Sequence, residues 1–308
     1  VFGVAMVTMA VNVAANFVLI LGLGPFEPMG LEGAAIGTVL GWATGLAVFA
    51  GLFLGSRSNR RYRTRRTAAL QPALCGDIFR IGWPAGLSLS LEVMAWSVFN
   101  SVLVAYFGQI HKAASGAVVR YLHMSFMPAI GVGVAATALV GRYIGAGRPD
   151  LARRRAHGAL LLAVAYMSVC GLAFYLFRYP LVRLFATFPE IEGLTAAQQA
   201  AMEAEVIRVG ATVMICAAVF QAFDAVGIVY IGALRGAGDT LIPMLITFGL
   251  SWAVNIGGGV LMMWLFPGLG SVGPWIAAAS FVSLLGVVMA WRFESGAWQR
   301  IDLLGRRP

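Results

Sequence analysis

Eight apolar runs, each about 20 residues or longer, dominate this chain, at approximately 1–22, 31–55, 78–106, 113–142, 157–185, 206–234, 240–265 and 271–292. Runs of that length match the hydrocarbon thickness of a bilayer at 1.5 Å per helical residue, with room for tilt. Only 11% of the 308 residues are charged, against about a quarter in a soluble domain. Such a chain cannot clothe a water-facing surface. In lipid every backbone polar group must be satisfied within its own element, so the runs are expected to be helices. The fold class expected is therefore an all-α integral membrane bundle. Pro84, Pro128, Pro243 and Pro274 fall inside the runs, where a bundle tolerates them as kinks.

The net charge of +9 raises the question of a nucleic-acid partner. Its densest source, Arg57, Arg60, Arg61, Arg63, Arg65 and Arg66, lies between two apolar runs, so a cytoplasmic loop explains it and no nucleic-acid partner is expected. With 56–77 placed inside, alternation puts 142–156, 235–239 and 293–308 on the same side. Of the 22 Lys and Arg, Lys112, Arg183 and Arg208 then fall outside, Arg120 and Arg178 within helices, and the rest inside. That bias obeys the positive-inside rule. Both ends of the chain are then cytoplasmic. The longest outer loop carries Glu190, Glu192, Glu203 and Glu205, and residues 148–156 read as a short interfacial helix. Cys75, Cys170, Cys216, His111, His123 and His157 show neither metal-ligand nor disulfide spacing. Gly145-Ala146-Gly147 and Arg235-Gly236-Ala237-Gly238-Asp239 lack the lysine and setting of a phosphate loop and read as tight turns.

A repeat is visible. The first helix pair contains Asn16, Pro28, Gly30, Gly33 and Ile36; the last contains Asn255, Pro267, Gly270, Gly273 and Ile276. The copies begin six helices apart and so run the same way through the membrane, as in two-lobed transporters. In the second copy four helices precede the matching pair. The same four, roughly 150 residues, are expected ahead of Val1, giving two bundles of six with eight of twelve helices in this chain. The organisation expected is 1–55 as the last two helices of an amino-terminal lobe, 56–77 as a basic inter-lobe linker, 78–292 as a six-helix carboxy-terminal lobe, and 293–308 as a cytoplasmic tail.

Charges inside spans are costly, about 2.5–3.5 kcal/mol each on insertion scales, and mark ion or substrate pathways. Glu92 lies 12 residues beyond Arg80, about 18 Å from the inner face; Asp224 lies 11 residues before Arg235, about 16 Å from that face. The two acids therefore reach one depth. Two carboxylates there can share a proton, since desolvation favours the neutral form of an acid, or hold a monovalent cation. The competing reading is a structural pairing with a buried base, Arg120 or Arg178, although both arginines read better as snorkelling or structural. Asn100 and Gln221, near these acids in sequence, either line the same cavity or bond across helices.

Ile81-Gly82-Trp83-Pro84-Ala85-Gly86, Ser125-Phe126-Met127-Pro128, the run Val140 to Gly147, and Ala233 to Thr240 resemble the multidrug and toxic compound extrusion family, specifically its NorM-type bacterial branch. The resemblance covers nearly the whole chain. It implies a twelve-helix, two-lobed exporter of cationic, amphipathic compounds in a bacterial inner membrane, coupled to inward Na+ or H+. It implies no cofactor beyond that coupling ion and no enzymatic activity. The partners implied are the bilayer and organic cation or drug-like substrates, with the full-length protein a monomer. It also implies that Glu92, followed by Val93, and Asp224, within Gln221-Ala222-Phe223-Asp224-Ala225-Val226, form the cation site and ligate Na+ if sodium is the coupling ion. Phe220 stands where the family often has a tyrosine, and Ala114-Ser115-Gly116 where it often has an Ala-His-Gln-like stretch; with Phe220, Asn100, Gln221 and Arg120 are the cavity-lining candidates. The rival function is a lipid-linked oligosaccharide flippase of related architecture, which calls for a cationic cavity to receive pyrophosphate. An intramembrane enzyme would need an acid cluster or a nucleophile–base pair at the membrane face, and the sequence offers neither.

Overall fold

A computed structural model describes residues 2–24, 27–65, 71–186 and 195–300, all of them helix, turn or connecting loop. Among the described residues eight helices are long and apolar enough to cross a membrane. The chain forms two compact units, Val1–Cys75 and Gly76–Pro308.

The first unit is a helix pair, α1 (Phe2–Leu21) and α2 (Gly30–Leu54), followed by the short α3 (Ser56–Tyr62). Its seam is made by absence. Gly33, Gly37, Gly41 and Gly45 recur every fourth residue, hence on one face of α2, and all four are buried. They meet Leu19, Asn16, Asn12 and Thr8 of α1 in reverse order, so the helices run antiparallel. A Cβ at Gly37 would stand 2.1 Å from Asn16 Oδ1, and one at Gly33 2.8 Å from the Leu19 carbonyl oxygen. Small residues permit this approach, and packing of that kind holds helices together where lipid removes the hydrophobic drive. One hydrogen bond bridges the seam, from Asn12 Nδ2 to Gly37 O at 3.4 Å, and within α1 Asn16 Nδ2 donates to Asn12 Oδ1 at 3.3 Å.

The second unit begins along α4 (Pro72–Val98), which passes through a π-helical turn at Phe99–Val104. Then come α5 (Gln109–Gly145), α6 (Pro149–Leu176), α7 (Arg178–Phe185) and α8 (Ala196–Gly236). The helix α9 (Leu241–Leu250) continues through a second π-helical turn, Ser251–Gly257, into α10 (Gly258–Leu265), and α11 (Val272–Glu294) closes the unit. The central member is α8, packed against α5, α6 and α11. Backbones meet directly there: a Cβ on Gly232 would lie 2.4 Å from Gly133 O, and one on Gly286 2.4 Å from Phe223 O. An aromatic knot of Trp96, Phe99 and Trp275 joins α4 to α11, and Trp275 Nε1 donates to Ser115 Oγ of α5 at 3.0 Å. Large apolar side chains such as Trp264, Leu161 and Val169 remain outside, as lipid-facing surface does.

The helices depart from the sequence expectation in four places. Residues 149–156 are the first two turns of α6 rather than a separate interfacial helix, because Ala152 and Ala156 are fully buried and draw the segment into the bundle. The fifth span ends at Leu176, and the chain breaks at Phe177 before α7. The sixth starts ten residues early: Thr195 and Gln198 form a capping box, which places Glu203 and Glu205 on the helix instead of in a loop. Glu190 and Glu192 lie outside the described residues. Pro243 and Pro274 sit in the first turns of α9 and α11, where no backbone donor is lost; Pro84 and Pro128 are interior. The tail is anchored as far as it is described, with Trp298 stacked on Phe293 and only 2% exposed. Both turns expected from sequence form, with Gly147 and Gly238 at positive φ.

Each repeat copy forms an antiparallel pair, the second bringing Met262 against Gly273 and Gly258 against Ala277. The copies differ at their asparagines. Asn16 has a partner in Asn12, whereas Asn255 lies in the π-helical turn, fully buried, with neither amide atom hydrogen-bonded among the described residues.

Candidate functional site

Glu92 is carried by α4 two turns beyond Pro84, and Asp224 by the middle of α8. Both side chains are partly accessible. The negative charge of Glu92 reaches Asp224. Among the described residues, neither carboxylate takes part in an ion pair; those pairs are Arg153 and His157 with Glu294, Arg208 with Glu205, and Arg292 with Asp239. The cation whose field acts on Glu92 is Arg235, three turns along α8 from Asp224. Sequence reasoning assigned Arg235 to a cytoplasmic turn and overlooked this influence, although its position at the end of the same apolar run was the available signal. Chemically, two acids without an ion-pair partner among the described residues offer oxygen ligands to a hard cation, or two sites for one proton.

Arg120 and Arg178, the bases considered for these acids, are engaged elsewhere. Arg120 is exposed and donates to Phe185 O at 2.7 Å. Arg178 donates to Tyr175 O at 2.7 Å and lies over the rings of Tyr175 and Tyr179. Gln221 is fully buried and binds across helices, its Nε2 donating to Ser125 Oγ of α5 at 2.8 Å, while its Oε1 has no partner among the described residues. Phe220 is 2% exposed, within the core. Asn100 spends its amide on its own helix, donating to Trp96 O at 2.9 Å. The structure thus leaves Glu92 and Asp224 without an ion-pair partner among the described residues, binds Gln221 to Ser125 and buries Phe220 in the core.

A second cluster was not visible in the sequence. Glu294, at the end of α11, accepts from Tyr230 Oη of α8 at 2.9 Å and lies 2.6 Å from His157 Nε2 of α6, with Arg153 paired to its other oxygen. One carboxylate thereby ties three helices. Their sequence separations, up to 141 residues, explain why no local motif announced it.

An all-helical, multi-pass bundle with two acids inside its apolar spans defines a membrane protein of transporter architecture. The MatE family model matches residues 84–261, and the chain belongs to that family. It is similar to the multidrug resistance protein NorM of Burkholderia vietnamiensis, 32% identical over 92% of this chain and 58% of that one. It is likewise similar to a probable NorM of Thermotoga maritima, 28% identical over 96% of this chain and 60% of the other. The chain thus spans about three fifths of the length of the curated relatives it matches. Among solved structures it resembles the outward-facing form of a multidrug resistance MATE transporter of the MOP superfamily, with a TM-score of 0.78 at 20% identity over 97% of this chain and 62% of that chain.

Proposed function

We propose that this chain is part of a secondary antiporter that exports cationic or amphipathic organic compounds in exchange for Na+ or H+. What supports the reading is that Glu92 and Asp224, each without an ion-pair partner among the described residues, lie within apolar spans of a MatE-family chain. Burying two acids at mid-bilayer is expensive unless a mobile positive species visits them. Residues 1–55 would close an amino-terminal lobe, 56–77 link the lobes on the cytoplasmic side, and 78–292 form the six-helix carboxy-terminal lobe. Both ends of the chain face the cytoplasm of a bacterial cell.

In this mechanism a cation enters from outside, occupies Glu92 and Asp224 and biases the protein toward releasing its organic cargo outward. The cation can shift that equilibrium only by binding one state more tightly than the other. Acidic interior charge favours cationic cargo. Arg120, which argued for a phosphate-bearing cargo such as a lipid-linked oligosaccharide, is committed to Phe185 O. The test is reconstitution of the complete protein in vesicles with Na+ and H+ gradients imposed separately. One gradient is expected to drive movement of a fluorescent lipophilic cation. Movement under neither gradient refutes the proposal.

A further inference from the structure

The arginine-rich segment after α2 has more structure than a positively charged loop requires. The last carbonyls of a helix normally lack partners. Here three successive ones are capped by side chains from downstream: Ser58 Oγ donates to Leu52 O at 2.7 Å, Thr64 Oγ1 to Phe53 O at 2.8 Å, and Arg65 Nε to Leu54 O at 2.8 Å. Arg63 adopts the left-handed conformation, φ 53°, and its N–H donates to Asn59 O at 2.8 Å. The Arg65 N–H donates to Asn59 Oδ1 at 3.1 Å. These bonds fold residues 55–65 back over the end of α2 and fix the direction in which α3 points.

What the fold presents is cationic. Arg57, Arg60 and Arg61 are spaced i, i+3, i+4 and so share a face of α3; all three are exposed, and none forms an ion pair among the described residues. With Ser56, Ser58 and Tyr62 they line an open recess of about 560 Å³. No Asp or Glu occurs between Glu32 and Asp77, so no nearby acid in the sequence competes for the guanidinium groups. The apolar end of α2 adjoins this recess, with Leu52, Phe53 and Leu54 each about half exposed or more. Tyr62, 64% exposed, is of the type that settles at the membrane–water interface.

We propose that residues 55–65 form a binding site for the phosphate of an anionic phospholipid headgroup, with Arg57, Arg60 and Arg61 as its ligands. Guanidinium forks bind phosphate oxygens in pairs, and the exposed Leu52, Phe53 and Leu54 offer the acyl chains contact that a free phosphate ion could not use. Clustered basic residues just beyond a span are the usual footprint of anionic lipid; here the segment that carries them is folded by hydrogen bonds from Ser58, Thr64 and Arg65. The site does not depend on the transport reading.

The test is thermal stabilisation of the protein in a neutral detergent by added lipid. Phosphatidylglycerol is expected to raise the melting temperature more than phosphatidylcholine, and inorganic phosphate at equal concentration is expected not to substitute for it. Replacing the three ligands (Arg57→Gln, Arg60→Gln, Arg61→Gln) should weaken the phosphatidylglycerol response on the order of a hundredfold, whereas Arg154→Gln with Arg155→Gln should leave it intact. If the triple variant does not fold, the wild-type response to phosphatidylglycerol should weaken with added salt, as screening of exposed charge demands. Equal responses to both lipids, full replacement by inorganic phosphate, a triple variant that keeps the response, or a response that salt leaves unchanged would each overturn the proposal.

Discussion

Arg292 donates its Nε proton to Asp239 Oδ2 at 2.9 Å, and only 3% of the Asp239 side chain is exposed. The pair fastens the end of α11 to the turn that follows α8. Removing one partner of such a pair leaves the other charge uncompensated in a poorly solvated place. Asp239→Asn is therefore expected to lower stability by about 3 kcal/mol, and Arg292→Lys by less, because a lysine keeps the charge. Denaturant unfolding in detergent measures both, and equal stability of wild type and Asp239→Asn would show that the contact holds nothing together.

Helix α8 meets α5 through backbone at Gly232. A methyl group there would come 2.4 Å from Gly133 O, and backbone cannot swing aside as a side-chain tip can. Gly232→Ala should destabilise by about 2 kcal/mol through overpacking. Gly131→Ala, also within α5 but with open space around it, should be neutral or slightly stabilising, since alanine favours helix. Thermal melts of the two variants side by side test the seam; a Gly232→Ala melt matching wild type would rule it out as a close-packed contact.

Coupling is expected to disappear in Glu92→Gln and in Asp224→Asn of the complete protein while membrane insertion persists. Either change removes a charge from the pair without altering its shape. Export should fall to the level seen without a gradient, a loss of at least about 2.7 kcal/mol of driving interaction if it is hundredfold. Unaltered gradient-driven export by both variants would withdraw the site assignment.

Orientation can be read with a thiol already present. Cys75 is exposed, near the start of α4, whereas Cys170 and Cys216 are partly buried. With the latter two changed to serine, a membrane-impermeant maleimide should label Cys75 in inside-out vesicles and leave it unlabelled in intact cells. A Lys112→Cys variant in a cysteine-free background should behave in the opposite way. The reverse pattern would invert the topology.

Much of the architecture was legible because hydropathy is a local sum. Eight helices long and apolar enough to span, among the described residues, and both glycine turns follow from counting along the chain. Boundaries were less legible where tertiary burial decides them, as at Ala152 and Ala156, which absorb a basic stretch into α6. The π-helical turns at Phe99–Val104 and Ser251–Gly257 had no signal in the sequence; each contains an asparagine, but so does the regular helix α1.

The sequence alone determined that this chain is built of apolar helices long enough to cross a bilayer, and that two acids fall inside them. It could not decide what any polar side chain faces. These helices are apolar on nearly every side, so no amphipathic stripe reports their rotation. A side chain's partner is then set by helix-to-helix contact across long sequence separations. That contact turned Gln221 to Ser125, gave Glu294 to Tyr230 and His157, brought the field of Arg235 onto Glu92, and left Asn255 buried without a described partner.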